Sequence, residues 1–318
     1  MGDAQTLNAP IPESPRPLGQ SWHPLEGIGS LDERVLAETL DGGQAFRWRR
    51  AADGTWRGIW GEHVAHLRRA SDGSLAWSGP RAETGAAFIH YFSSNETNAP
   101  ADSLPWRSDA HLARCLAAFP GLKILRQPFG ETLLGFLCSA TKQIVQIKQM
   151  VALLAERHGK PVAERIRVSG ESLTTSAPMI YRLPTWPELA AVPETELRAC
   201  LLGFRARYIH RTAQFIAAHP GWLEETETLP YTEAKARLCS LPGVGEKVAD
   251  CVLLFGAGKM EAFPVDVWIL KAMAERYALH GWKPAQVAHF GRMHFGPLAG
   301  LAQQYLFAWE RAEARAVK

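Results

Sequence analysis

Apolar and polar positions follow two different rhythms along this chain. From Phe46 to Ser78 the apolar residues come in short runs, Trp56, Ile59 and Trp60 and then Val64, Ala65 and Leu67, the aromatic and branched types that an antiparallel sheet buries. Asp53-Gly54 and Asp72-Gly73, dipeptides favoured in tight hairpins, punctuate these runs and predict a small meander. Two helical stretches follow, about 82–92 and 109–119, joined by the polar, proline-bearing segment 93–105. Beyond Gln127 helix succeeds helix, with breaks at Gly159-Lys160-Pro161, at Pro220-Gly221, and across a long connector from Ser169 to Pro187. No fixed-period repeat is visible. The expected fold is α+β, an N-terminal antiparallel β-sheet subdomain followed by a mostly α-helical domain. The divisions predicted are a flexible tail over 1–24, with five prolines, a β-containing part over 25–126 and a helical part over 127–318.

Composition narrows the class. With 318 residues and 47% apolar content the chain can bury ordered cores in two or three subdomains. No uncharged apolar run reaches the ~18 residues of a membrane span, and the N-terminus lacks a basic start followed by an apolar core. Thirty-five Lys and Arg against 32 Asp and Glu give a net charge of +3, too small to name a polyanionic ligand. Distribution is more telling. Arg47, Arg49 and Arg50 flank Trp48, and Arg205, Arg207 and Arg211 cluster further on, as either solvated faces or phosphate contacts. Five widely spaced cysteines, odd in number and without a Cys-x-x-Cys pair, point to a reducing compartment.

The most informative stretch is Leu241-Pro242-Gly243-Val244-Gly245-Glu246-Lys247-Val248-Ala249-Asp250-Cys251. Apolar residues at helical spacing on both sides make Pro-Gly-Val-Gly a hairpin between two helices. Gly243 and Gly245 permit φ > 0 and clear the turn of side chains, so the N–H groups opening the second helix can approach a phosphate. Lys247 falls in the first turn of that helix, where the positive end of the macrodipole disfavours an ammonium, and it is a candidate amine nucleophile. Nineteen positions on, Asp266 precedes another helical pattern as an N-cap. Taken singly, such a lysine is more often solvated and such an aspartate more often just a cap.

Leu-Pro-Gly-Val-Gly-x-Lys-Val-Ala-Asp followed by Pro-Val-Asp-Val resembles the helix-hairpin-helix, Gly/Pro-Asp superfamily of DNA base-excision glycosylases, and within it the 8-oxoguanine DNA glycosylase/AP lyases. The resemblance spans about residues 30–318 and implies an active-site cleft between two helical subdomains. It implies that Lys247 attacks C1′ and forms a Schiff base, allowing strand cleavage by β-elimination, while Asp266 stabilises positive charge and moves protons. Members with the aspartate but no lysine use water, so Lys247 selects the bifunctional class. Gly42-Gly43-Gln44-Ala45-Phe46-Arg47-Trp48 is similar to the family's Gly-Gln-Ser/Ala-Phe-Arg-Trp signature. By that match the carbonyl of Gly43 accepts the N7–H that 8-oxoguanine has and guanine lacks; in a dry pocket guanine would leave this acceptor unpaired. Gln303 would read the Watson–Crick edge, with Phe307 stacked on one face of the base and Cys251 on the other. Leu202-Gly203-Phe204-Arg205-Ala206-Arg207-Tyr208 is similar to a segment whose aromatic, Phe204, wedges into the vacated stack and whose Arg205 contacts the opposite cytosine.

Three positions depart from the family pattern. Thr141 stands in place of the asparagine that fills the flipped-out space, Gln146 where an arginine would hold the estranged cytosine, and Trp268 where a histidine lies near a phosphate. Arg205 is then the main cytosine reader, and a relaxed opposite-base preference follows as a hypothesis. The resemblance implies double-stranded DNA containing 8-oxoguanine as partner, no membrane and a monomer. A cytoplasmic, DNA-associated location is expected, nuclear in a eukaryote. No metal or other cofactor is expected beyond room for a structural monovalent cation at the hairpin; no cysteine follows Cys251 to ligate an iron–sulfur cluster. Two rivals remain, a superfamily glycosylase for another base such as an alkylated purine, and a non-catalytic protein that grips DNA by the hairpin alone.

Overall fold

The structure, a computed structural model, describes residues 21–92, 101–162 and 179–316. An antiparallel sheet forms from β1 (His23–Pro24), β2 (Arg49–Arg50), β3 (Trp56–Trp60), β4 (His63–Arg69) and β5 (Leu75–Ser78), ordered β1-β5-β4-β3-β2. The meander and the turn at Gly54 and Gly73 match the sequence pattern, with φ of +85° and +86° at those glycines. One sheet face buries Trp56 and Trp60, with Trp60 against Phe88 and Tyr91 of α2 (Thr84–Phe92), and Trp48 lies over Gly58, where a side-chain carbon would come within 2.4 Å of the indole. Trp48 Nε1 donates to the Tyr91 hydroxyl at 3.1 Å, so the largest buried ring keeps its one polar group satisfied.

The helical part continues from α3 (Ala110–Ala118) through α4 (Phe129–Leu137) and α5 (Ile144–His158). After the two-stranded β6 (Pro161–Val162) and β7 (Ile180–Tyr181) come α6 (Trp186–Ala190), α7 (Glu194–Leu197) and α8 (Arg205–Ala218). The chain ends with α9 (Trp222–Thr228), α10 (Tyr231–Cys239), α11 (Glu246–Phe255), α12 (Val267–Tyr277), α13 (Pro284–Phe295) and α14 (Ala299–Ala316). α4 packs against α11 and α8, while α14 packs against α3, α12 and α13. One contiguous core runs through sheet and helices, and a small satellite of Val64, Val162 and Ile180 lies under the other sheet face.

Several expectations need correction. His23 and Pro24, placed in a flexible tail, pair with Trp77 and Ala76 and form the sheet edge, a position that tolerates proline; residues 1–20 lie outside the described residues. The chain carries a first helix, α1 (Glu33–Asp41), that the sequence pattern did not suggest, capped by Asp32 accepting from the Val35 N–H. The break at Gly159-Lys160-Pro161 leads into β6 rather than another helix. The connector is shorter than predicted, because β7 and the Thr185 cap of α6 fall inside it; its residues 169–178, like 93–100, are outside the described residues.

A buried side chain ties the segment before β2 to the segment before α4. Gln44, 2% exposed, donates to the Lys123 carbonyl at 2.9 Å and accepts from the Leu125 N–H at 3.0 Å, while its own carbonyl accepts from Gln127 Nε2 at 2.7 Å. Gln44→Ala orphans a buried donor and a buried acceptor and should cost about 2–4 kcal/mol, read as a lowered urea midpoint with unchanged slope.

Candidate active site

Lys247 lies half-buried in the first turn of α11, and the end of α4 is folded over it. Its Nζ donates to Ser139 Oγ at 3.5 Å and stands 5.2 Å from the centroid of the Phe136 ring. Ser139 is fixed by donating its hydroxyl to the Phe136 carbonyl at 2.7 Å. The Cys251 thiol, one turn further along α11, is buried; burial pushes it up to about 11, so it stays a neutral group near the amine.

Asp266 caps α12. Its Oδ1 accepts from the N–H groups of Trp268 at 3.0 Å and Ile269 at 2.9 Å. Burial pushes its carboxyl above the usual aspartate range, against the lowering effects of the Ile269 N–H and of the Lys247 charge. Lys247 and Asp266 both act electrostatically on Cys251 and Lys247 acts on Asp266, so the three side chains are close enough to feel one another's charge. The start of α11 is unlike that of α12, because no side chain caps it. Gly245 is exposed, with nothing within 4 Å of the place where a side chain would begin, which leaves the positive end of the helix open to an anion.

Gly243 is required twice over. It takes φ +80°, and a side-chain carbon there would come within 2.7 Å of Tyr208. Tyr208 meets Phe204 edge-on at 6.0 Å, which joins the hairpin to the loop before α8. Phe204 is 54% exposed and Leu201 53%, and Leu201 adopts φ +62° inside a π-type turn that the sequence pattern did not reveal. Arg205, the cytosine reader by resemblance, is buried at the start of α8. It is 3% exposed, stacks 4.4 Å over Phe204, and donates to the carbonyls of Leu202 and Ala140 and to Thr141 Oγ1. Thr141, exposed, is held at φ +55°, a region that β-branched residues rarely enter. Trp268 is half-buried at the start of α12. In the hairpin the Leu241 carbonyl accepts from the Val244 N–H and the Pro242 carbonyl from Thr212 Oγ1.

The remaining residues meet on the other side of Phe136. Gly43 takes φ +112°, and a side-chain carbon on it would lie 3.1 Å from Ile144 Cδ1 and 3.8 Å from Phe307 Cε1. Any other residue would therefore fill the space between strap and α14. Three residues on, the Phe46 ring packs edge-on against Phe136 at 5.3 Å, the same ring that lies under Lys247. Gln303, 3% exposed, sits one turn before Phe307 and accepts from Gln304 Nε2 at 2.6 Å. Arg311 donates to the Gly42 carbonyl and pairs with Glu38 at 2.6 Å, locking the strap to α14. Ser139, Phe136, Ile144 and Arg311 were not singled out from sequence; only coordinates reveal such supporting contacts.

Known proteins carry the same organisation. The family model for the 8-oxoguanine DNA glycosylase N-terminal domain matches residues 30–133, and that for the HhH-GPD superfamily base excision DNA repair proteins matches 134–292. The Arabidopsis thaliana N-glycosylase/DNA lyase OGG1 is 30% identical over 307 residues, 91% of this chain and 80% of the plant protein. The chain belongs to the 8-oxoguanine DNA glycosylase family. The Clostridium acetobutylicum 8-oxoguanine glycosylase/lyase, solved with double-stranded DNA containing cytosine opposite 8-oxoG, superposes with a TM-score of 0.79 at 31% identity, covering 88% of this chain and 92% of that one. MBOgg1 in complex with a low affinity DNA ligand gives 0.78 at 29% identity, covering 91% and 94%. Both are glycosylase-family structures with DNA bound. Among the described residues of this member, no helix is long and apolar enough to cross a membrane.

The capping geometry generates a test. Asp266→Ala should destabilise by about 1 kcal/mol in thermal unfolding, since two N–H groups lose their acceptor. Because burial raises the carboxyl, acidification protonates Asp266 at a higher pH than an ordinary aspartate. The acid limb of single-turnover base release should accordingly lie above the usual aspartate range, and it should vanish in Asp266→Asn.

Proposed function

We propose that this protein is a bifunctional base-excision repair enzyme that flips 8-oxoguanine out of duplex DNA, excises it, and cleaves the abasic strand by β-elimination. The observation that carries the reading is the amine of Lys247, half-buried between Ser139, Cys251 and the Phe136 ring and in the field of Asp266. In the proposed sequence the backbone N–H groups at the uncapped start of α11 take a DNA phosphate, Phe204 enters the vacated stack, and the base enters the recess. Lys247 attacks C1′ as the C1′–N bond breaks, and the carboxylate of Asp266 offsets the positive charge of the oxocarbenium-like transition state. Ring opening gives a Schiff base, and loss of the C2′ proton expels the 3′ phosphate. Gly43 supplies the acceptor for N7–H, Gln303 the edge contact, and Phe307 and Cys251 the two walls. A hairpin-only DNA binder would need neither the lysine recess nor the Gly43 strap.

The buried commitments of Arg205 support the relaxed opposite-base hypothesis, since its guanidinium holds the Ala140-Thr141 turn in place. Gln146 is likewise engaged, accepting from the Gln143 N–H at 3.2 Å.

Borohydride should trap the native protein covalently on a duplex containing 8-oxoguanine, and Lys247→Gln should abolish the adduct while retaining duplex binding. Absence of an adduct with the native protein would remove the proposal. In a second assay, rates on 8-oxoguanine opposite C, T, G and A should agree within about tenfold, a span of ~1.4 kcal/mol in activation free energy; processing of the C pair alone would exclude relaxed preference.

A further inference from the structure

Between the outer sheet face and α5 lies a hollow of about 100 Å³, lined by four cations, Arg47, Arg49, Arg57 and Lys148, with Glu156 as the one carboxylate. Strand alternation explains how they gather. Trp48 and Trp56 turn into the core, so their neighbours Arg47, Arg49 and Arg57 turn out together. The register then sets Arg49 directly opposite Arg57, an arrangement of like charges that destabilises a strand pair. The next arginine in the same strand is compensated, as Arg50 pairs with Glu33 at 2.8 Å. Among the described residues Arg49 and Arg57 make no ion pair. Arg47 donates Nη2 to the Tyr181 carbonyl and keeps Nη1 buried without an acceptor. Burial pushes its guanidinium down to about 10, and Arg49 and Arg57 push it the same way. Lys148 reaches Asp41 at 2.7 Å at one end of the hollow.

We propose that this hollow is a binding site for a phosphate-class oxyanion, gripped by Arg49 and Arg57 with Arg47 and Lys148 behind them. A tetrahedral oxyanion accepts from two guanidinium forks at once and cancels the repulsion that the register imposes. The hollow borders the Gly43 strap at Phe46 and runs away from it along α5. Lys148 and Glu156 lie one and three turns along α5 from Ile144, about 6 and 18 Å at helical rise. The phosphate has two sources, a backbone group of bound DNA or free phosphate in solution.

The test uses thermal unfolding of the full-length protein in inorganic phosphate against chloride at equal ionic strength. The native protein should gain about 2 °C or more in phosphate. In Arg49→Gln/Arg57→Gln that gain should disappear, while the midpoint in chloride should be no lower than native, because the opposed charges are gone. Equal native midpoints in the two salts, or a gain that survives in the double variant, would overturn the site. Should the double variant fold poorly, Arg49→Gln alone, at the exposed sheet edge, should raise the phosphate concentration that gives half of the thermal gain at least threefold; an unchanged concentration counts against the proposal. The salt dependence of duplex binding separates the two sources. A slope reduced by about one unit or more in the variant assigns the site to DNA backbone, and an unchanged slope with the phosphate gain lost assigns it to free phosphate.

Discussion

The chemistry depends on one carboxylate meeting two demands at once. Asp266 must accept the N–H groups that open α12, and it must also present charge toward Lys247. Oδ1 takes both N–H groups, which fixes the rotamer and leaves Oδ2 directed by the geometry of the cap. The helix start therefore aims the carboxylate, and no further residue is needed to hold it. The partner helix is built the opposite way. α11 begins at a glycine with no side-chain cap, so its donors are left for an outside anion while its first turn carries the amine. In the proposed reaction a capped helix carries the carboxylate and an uncapped one the phosphate grip and the nucleophile.

Aromatic packing sets the distance between chemistry and recognition. The Phe136 ring lies under the Lys247 amine on one side, stacks on Phe255 at 5.6 Å, and meets Phe46 edge-on. Phe46 belongs to the strap that carries Gly43. A shift in the strap is thus transmitted to the amine through two rings in van der Waals contact, whose packed surroundings resist compression. The strap is also anchored by polar ties at both ends, Gln44 into the loop before α4 and the Gly42 carbonyl to Arg311.

Much of this was legible in the sequence where local chemistry dictates local structure. The Asp-Gly turns, the glycine hairpin, the Asp266 cap and the spacing of Gln303 and Phe307 each follow from backbone freedom, capping or helical period. Contacts between distant segments were not legible. Arg205 is a cytosine contact by resemblance, and no local pattern reveals that it is buried after the π-type turn at residues 198–202 with its guanidinium on Ala140 and Thr141. His23 and Pro24 read as tail because a two-residue edge strand has no periodicity of its own. The apolar pattern of α1 is too short to stand out directly before the meander, although Asp32 supplies its cap.

The tie between Arg311 and Gly42 joins positions 269 residues apart. During synthesis the hairpin, the amine and the carboxylate all leave the ribosome before α14 does. A nascent chain at that stage already holds Gly42 and Gly43, whereas the helix that anchors them is still inside the exit tunnel. The segment that carries Gly43 is the last part of such a chain to be fixed in place.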